Sequence, residues 1–424
     1  MNSLSVSTPI RLLCLSNGHG EDIIAIRILA ELKQLAEIDI AALPIVGEGQ
    51  AYTGLGIPII SSVQNMPSGG FIHMDGRQLV RDVQGGLIGL TLSQIKAVRN
   101  WVKLGGAILA VGDIVPLLFA WASGTNYAFV GTAKSEYYLR DEVNFYQRSL
   151  FKSFEGWSGS VYHPWERWLM SCQRCKAVFP RDSLTTQTLQ KWAIPVFDLG
   201  NPMMDQLDAV PSPLDNWNAA QKSLTITLLP GSRSPEAYAN WQQIIVAVTA
   251  LLENFPERSL LFLGAIAPSL SLEPLCQILT NAGFTQVSNK SPLADANTLR
   301  FEHKNAYLVL SQHAYNQCLQ IADMAIAMAG TATEQFVGLG KPAIAFPGKG
   351  PQFTYTFAEA QTRLLGSSVI LVEQPSQVPH AVQSLLGDPD RLKLIAQNGW
   401  RRMGKPGSAR RIAACLLEQL SYYS

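Results

Sequence analysis

Four stretches of this chain pass from an apolar run through glycine and small polar residues into the start of a helix, an arrangement that lets backbone close on an anion. The first is Ser16-Asn17-Gly18-His19-Gly20-Glu21-Asp22. Gly18 and Gly20 permit a tight turn, the helix start supplies unpaired N–H groups, and His19 falls at the mouth of a cleft. The second, Leu228-Leu229-Pro230-Gly231-Ser232-Arg233-Ser234-Pro235-Glu236, adds a cation. Arg233 can neutralise a diphosphate, with Gly231 and Ser232 offering backbone and hydroxyl donors. The third, Met328-Ala329-Gly330-Thr331-Ala332-Thr333-Glu334-Gln335, brings small residues to a helix N-terminus, and Glu334 can accept hydrogen bonds from both hydroxyls of a ribose. The fourth, Phe346-Pro347-Gly348-Lys349-Gly350-Pro351-Gln352-Phe353, lacks the spacing of a kinase-type phosphate loop; it can close over a nucleotide or sugar, Gln352 contributing amide contacts. Each also has a plain structural use: a glycine turn with an exposed histidine, a surface arginine, a carboxylate favoured by the helix dipole, a surface loop. Together they point to a nucleotide-linked anion held mainly by the C-terminal half and a reacting partner presented by the N-terminal half.

The elements that must position these turns are short apolar runs separated by amphipathic helical stretches. The runs fall at 10–15, 107–111, 127–130, 224–229, 259–263, 306–310, 324–328 and 343–346. Between them, Glu21 to Leu35 sets Ile24, Ile28, Leu32 and Leu35 on one helical face, and Ala237 to Leu252 does the same with Trp241, Ile245, Val248 and Leu252. Continuously apolar strands alternating with helices are the pattern of α/β parallel sheets covered on both faces. The pattern restarts at Leu224 after a Pro-, Asp- and Asn-rich stretch, which gives an N-terminal domain over 1–205, a linker over 206–222 and a C-terminal domain over 223–424, with the last helix a candidate to pack back on the first domain. Two doubly wound domains are then expected to face one another across a cleft at their strand carboxyl ends.

Composition narrows the function. Hydrophobic residues make up 47% of the chain and charged residues 15%, which excludes disorder, and a net charge of +1 gives no field to hold a nucleic acid. Six scattered cysteines fit a reducing, cytoplasmic compartment, and the N-terminal run is too short for the core of an export signal. The apolar segment 104–124 has the length of a membrane span, but Asp113 and Pro116 break it into a strand to Val111, a loop and a helix from Pro116. The histidines share no ligand spacing and Cys172 and Cys175 have no second pair, so no metal is assigned.

The motifs LLPGSR (228–233) followed by Glu236, AGTATEQ (329–335) and Leu199-Gly200-Asn201-Pro202 resemble, in the same order, elements of the lipid-A-disaccharide synthases, and most closely their cyanobacterial relatives; the resemblance spans most of the chain. It is more distantly similar to the transferase that adds N-acetylglucosamine to the lipid-linked peptidoglycan precursor. The resemblance implies a GT-B fold and a UDP-sugar donor, with no cofactor and no required metal. It implies that Glu334 holds the donor ribose, that Gly330, Thr331 and Thr333 line the diphosphate, and that Arg233 with Ser232 stabilises the leaving nucleotide. The loop at 16–22, with Gly18 and Gly20, takes the place of the synthase's Gly-Glu-Ala-Ser-Gly-Asp loop, and Val111-Gly112-Asp113 matches its Gly-Ile-Asp element. Asp113 thereby becomes a candidate general base alongside His19, its bland use being a helix cap. His19 and the sequence Ile114-Val115-Pro116-Leu117 depart from the synthase pattern, so a lipid A acceptor does not carry over.

Between Tyr137 and Trp168 stand ten aromatic residues in 32, where the chain average of 9% gives about three, with Arg140, Arg148, Lys152 and Arg167 interleaved. Trp157, Trp165 and Trp168 in this stretch suit a membrane interface or a lipid acceptor, and equally a domain core or a homodimer contact. The expected activity is transfer of a hexose or N-acetylhexosamine from a UDP-sugar to a lipid or glycolipid, by an enzyme peripheral on the cytoplasmic face of a membrane. The alternatives are a UDP-N-acetylglucosamine 2-epimerase-like enzyme and a non-catalytic nucleotide-sugar or lipid-binding protein.

Overall fold

The computed structural model describes residues 10–63, 87–143, 157–207, 223–288 and 291–421, with backbone alone at 19, 87, 88 and 421. It divides into two compact units, Met1–Asp205 with Lys405–Ser424, and Gln206–Gly404.

The first unit is built on a five-stranded sheet, β1 (Ile10–Ser16), β2 (Ile38–Pro44), β3 (Ala107–Gly112), β4 (Tyr127–Gly131) and β5 (Cys175–Phe179), in the order β2-β1-β3-β4-β5. All four pairings are parallel. Helix α1 (His19–Leu35) follows β1 and buries Ile24, Ile28 and Leu32 on one face of the sheet, whereas Leu35, at the helix end, is exposed. Helix α2 (Ile114–Ser123) follows β3 and buries Leu117, Phe119 and Ala120 on the other face, and helix α3 (Pro164–Ser171) adds Leu169 and Met170 there. The segment 104–124 is therefore a strand and a helix. Helix α2 starts at Ile114, two residues earlier than expected, because the Asp113 carboxylate accepts from Val115 N at 2.8 Å and caps it. Among the described residues no helix is long and apolar enough to cross a membrane.

The chain's last helix, Ser408–Ser421, lies in this first unit, so residues 405–424 leave the span 223–424 read from the sequence. Its Ile412, Ala413 and Leu416 share a core with Ile24, Ile28 and Leu32. The Asp205 carboxylate receives the amides of Gly407 (2.6 Å), Ser408 (3.1 Å) and Ala409 (2.6 Å) and so fixes where that helix begins.

The second unit carries β6 (Leu224–Leu229), β7 (Leu260–Ala265), β8 (Thr285–Gln286), β9 (Leu299–His303), β10 (Ala306–Ser311), β11 (Met324–Ala327), β12 (Ala343–Ala345) and β13 (Val369–Leu371). Their order is β13-β12-β11-β6-β7-β10-β9-β8. Helix α4 (Glu236–Asn254) buries Trp241, Ile245, Val248 and Leu252, the face read from the sequence. The sheet is not parallel throughout: β9 pairs antiparallel with both β10 and β8. The turn between β9 and β10 is only Lys304-Asn305, with Lys304 at φ 51°, and so short a connection can only reverse the chain. Of the proposed linker, residues 208–222 lie outside the described residues.

Replacing Asp205 by Ala is expected to destabilise the first unit by ~2 kcal/mol, three amide hydrogen bonds at a helix start being lost. Asp205→Asn should recover part of the loss. Urea denaturation of the three proteins measures it; equal midpoints would contradict the cap's role.

Candidate functional site

Strand order 2-1-3-4-5 sends the connections leaving β1 and β3 to opposite faces of the first sheet, which opens a crevice outside their carboxyl ends, the place where open α/β sheets receive ligands. Asn17 follows β1 and Asp113 follows β3. They meet: Asn17 Nδ2 lies 3.3 Å from Asp113 Oδ2 and 3.4 Å from Oδ1. Glu21, in the first turn of α1, folds back to the same point. Its Oε2 accepts from Asn17 N at 3.0 Å and its Oε1 from Thr132 Oγ1 at 3.2 Å, just beyond β4. Gly112 makes room for this carboxyl: its φ is 135°, and a Cβ there would stand 2.5 Å from Glu21 Oε2. Burial, and then the charge of Asp113, push the Glu21 carboxyl up to about 8, against the hydrogen bonds from Thr132 and Asn17.

Beneath this surface lies a buried polar chain. Ser16 Oγ donates to Asp22 Oδ1 at 2.5 Å and lies 2.5 Å from the Tyr52 hydroxyl, with Cys14 Sγ 3.9 Å from that hydroxyl. Burial pushes the Cys14 thiol up to about 12, so it stays protonated and is no nucleophile. Gly18, at φ 130°, precedes α1, and Gly20 has open space beside it. The side chain of His19, the other candidate base, lies outside the described residues.

In the second unit the corresponding switch point falls between β6 and β11, since β7 and β10 extend the sheet to one side of β6 and β11, β12 and β13 to the other. The turns after β6, β11 and β12 are the second, third and fourth sequence motifs, and three side chains tie them together. Asn240 Nδ2, on α4, donates to Pro230 O at 3.0 Å and lies 3.4 Å from Met328 O, bridging the turns after β6 and β11. Glu236, buried at the start of α4, accepts from Phe353 N at 2.7 Å and Gln352 N at 3.1 Å, which fastens the fourth turn. Gln361, on helix α6 (Tyr355–Leu365), donates to Ala329 O at 3.0 Å and Gly330 O at 3.2 Å beside the start of helix α5 (Thr331–Gly338). Gly231, at φ 96°, approaches Met328 O so closely that a Cβ would touch it at 3.4 Å.

Gly231, Ser232, Arg233, Gly330, Thr331, Glu334 and Gln352 are thus gathered at one end of one sheet. Ser232, Arg233 and Thr331 are exposed there and Glu334 is half-buried. Partial burial lowers the Arg233 pKa and Glu236 opposes the change. Thr333 is a correction: it is fully buried, and its hydroxyl donates to Ala329 O at 2.6 Å, a helical back-bond that turns it away from any diphosphate. Gly18 and Gly20, grouped with the donor contacts from sequence, stand in the first unit.

The aromatic stretch separates by burial. Tyr137 and Tyr162 are core residues, while Trp157, Trp165 and Trp168 are 61%, 52% and 55% exposed. The Trp168 ring packs against Trp121 at 5.4 Å and Trp165 stacks on His163 at 4.6 Å. Two of the interleaved cations face the protein rather than an anionic surface: Arg140 pairs with the buried Glu136 at 2.8 Å, and Arg167 lies over the Trp192 ring at 4.0 Å. Phe145, Tyr146, Arg148, Phe151, Lys152 and Phe154 lie outside the described residues.

Sequence reasoning missed Glu21, Glu236, Asn240 and Gln361 as site residues. The signal for Glu21 and Glu236 was available, a carboxylate in the first turn of a helix that follows a glycine turn. Asn240, beside the core residue Trp241, and Gln361, in an unremarked helix, gave none.

No protein-family model matches the sequence, and no curated protein matches it. Solved structures do. The chain is similar to the UDP-N-acetylglucosamine 2-epimerase of Neisseria meningitidis bound to UDP-N-acetylglucosamine (14% identity, TM-score 0.55, covering 96% of this chain and 100% of that one). It is also similar to CalG4, the calicheamicin glycosyltransferase (12%, 0.57, 99% and 100%), and to MurG of Acinetobacter baumannii (12%, 0.52, 97% and 100%). The fold is GT-B. Two Rossmann-like α/β domains are what the chain shares with these proteins.

Glu236→Ala is expected to release the turn at 346–353. Hydrogen exchange at the Gln352 and Phe353 amides should accelerate by ~10-fold or more while amides of β6 and β7 stay protected. Unchanged exchange at both amides would show that the turn holds itself.

Proposed function

We propose that the protein is a metal-independent GT-B glycosyltransferase that moves a hexose or N-acetylhexosamine unit from a UDP-sugar to a lipid or glycolipid acceptor, in the manner of the lipid-A-disaccharide synthases. The observation that carries this reading is the gathering of Arg233, Glu334 and the start of α5 at the β6/β11 switch point of the second unit. An arginine to meet a diphosphate, a helix start to cradle it and a carboxylate to take two ribose hydroxyls are the parts a nucleoside diphosphate needs. The neighbour from Neisseria meningitidis was captured with UDP-N-acetylglucosamine, which supports UDP as the nucleotide.

In this reading Asp113 takes the proton of the acceptor hydroxyl as its oxygen attacks the anomeric carbon, and Arg233 with the α5 amides meets the charge that develops on the departing diphosphate. The exposed Trp157, Trp165 and Trp168 support a peripheral contact with a membrane, where an indole lies in the headgroup layer. The second reading, a 2-epimerase, has a structural neighbour in its favour and needs no acceptor and no membrane.

Four measurements test this reading and its rival. Arg233→Ala and Glu334→Ala should each weaken UDP binding by ~10-fold or more in calorimetry. Asp113→Asn should lower transfer to membrane lipid extract by ~100-fold or more with UDP affinity kept. A joint Trp165→Ala, Trp168→Ala variant should lose co-sedimentation with phosphatidylglycerol vesicles. Conversion of UDP-N-acetylglucosamine to its 2-epimer without any lipid would replace this reading with the second.

A further inference from the structure

Three helices cover one face of the first sheet: Leu87–Val102, α2 and α3. They share a core through Val98, Leu117, Phe119 and Leu169, and α2 lies between the other two. Along the helix Leu87–Val102 and into the turn after it, Leu92, Lys96, Arg99 and Lys103 recur at helical spacing, which sets them in one stripe, and all four are exposed. Helix α2 carries no charged residue along its whole length, and its Leu118 is 46% exposed. Helix α3 presents Trp165 and Trp168, and the Trp168 ring reaches Trp121 of α2 at 5.4 Å. An apolar helix is thus flanked by a tryptophan pair on one side and a row of cations on the other.

The exposed charge on this face has one sign. Over 87–104, 114–124 and 164–176 the only carboxylate is Glu166, which is buried and paired with Lys134, while Lys96, Arg99 and Lys103 enter no ion pair among the described residues. The opposite face of the sheet mixes signs: Glu31 of α1 meets Arg410 of the last helix at 4.0 Å, and Lys33 and Glu418 stand on the same two helices. Exposed apolar surface beside cations alone is complementary to a phase that is apolar within and negative at its rim, which is an anionic bilayer.

We propose that this three-helix face docks on a bilayer containing anionic lipid, with Leu118, Trp165 and Trp168 entering the headgroup layer and Lys96, Arg99 and Lys103 meeting lipid phosphates. This rests on the membrane contact proposed above and gives it a surface, a lipid charge and an orientation. The cations come from a different helix than the aromatic stretch, whose Arg140 and Arg167 face the protein. Helix α2 starts beside Asp113, and Leu118 lies about 7 Å from that residue along the axis, so the crevice opens next to the docked surface. A lipid-borne acceptor then reaches Asp113 with its chains still in the bilayer.

Partition of the full chain between buffer and vesicles tests the proposal. Vesicles of equal parts phosphatidylcholine and phosphatidylglycerol should hold the wild type ~100-fold more tightly than phosphatidylcholine alone, three cations near an anionic surface each contributing about a factor of five. Salt at ~1 M, which shortens the screening length to ~3 Å, should remove the difference. A joint Lys96→Gln, Arg99→Gln, Lys103→Gln variant should bind both vesicles alike, with the melting temperature and UDP affinity of the wild type, whereas Arg410→Gln on the opposite face should keep the preference. Leu118→Ser should weaken binding to both vesicles by ~10-fold. Equal binding of the wild type to the two vesicles, or a triple variant that keeps the preference, would overturn the proposal. So would light scattering that shows a dimer dissociated by Leu118→Ser, because the face would then belong to a second copy of the chain. Vesicle binding as expected with no lipid glycosylated would leave the docking face standing and remove the transferase reading; transfer to detergent-dispersed lipid without vesicle binding would do the reverse.

Discussion

Both units rest on one device: a carboxylate in the first turn of the helix that follows the first strand, folded back to hold backbone beside the strand ends. In the first unit Glu21 takes the amide of Asn17, and in the second Glu236 takes those of Gln352 and Phe353. The turns that follow parallel strands have no ladder partner, so their amides must be met by side chains or by a ligand. A carboxyl group sited at the start of a helix, its oxygens turned back to those amides, meets that need. Glycine completes the device in each case: a Cβ at Gly112 would lie 2.5 Å from the Glu21 carboxyl, and one at Gly350 would lie 2.5 Å from the Glu236 carboxyl carbon.

The two copies diverge in charge, and the divergence follows from their neighbours. Glu236 has Arg233 close by, so its charge is met by a cation. Glu21 instead looks at Asp113 and Asp22, and its surroundings resist a further negative charge. One fold element, repeated, thus stands beside a cation in one unit and beside carboxylates in the other.

Much of the fold was legible. Val111 and Leu229 sit in runs so apolar that only a strand covered on both faces could hold them, and Asp113 with Pro116 marked the end of the first of these. Strands β2, β5, β8, β9 and β13 were missed: Ile38–Pro44 has Asp39 as its second residue, Cys175–Phe179 is short and contains Lys176, Leu299–His303 carries Arg300 and Glu302, and β8 and β13 are three residues or fewer. The placement of Ser408–Ser421 was open because an amphipathic helix does not name its partner; the choice is made by Asp205, more than 200 residues away in sequence. For the site, residue types announced Arg233 and Glu334, but nothing local marks Asn240 or Gln361, which act by bridging turns that come together only in the folded sheet. Thr333 was misplaced because a hydroxyl in the first turn of a helix can face a ligand or the carbonyl four residues back, and the sequence is the same in both cases.

The aromatic excursion shows how such a surface is supported. Glu136, with no exposed surface, accepts from Ser160 Oγ at 2.5 Å and Val161 N at 2.9 Å and pairs with Arg140 at 2.8 Å, so one carboxylate joins the segment that enters the excursion to the one that leaves it. Glu166 repeats the arrangement, receiving Lys134 at 2.5 Å and the amide of His163 at 2.8 Å. Buried ion pairs of this kind contribute little net stability, because the desolvation of two charges offsets their attraction, but removing either partner is expensive. Their effect is to fix geometry: with 131–140 and 160–166 locked together, α3 is held rigidly enough to present Trp165 and Trp168 outward without their collapsing into the apolar core beside Leu169 and Met170. Exposed indoles cost solvation, and with the clamps holding α3 in place these two stay on its outer side, Trp165 stacked on His163 and Trp168 against Trp121.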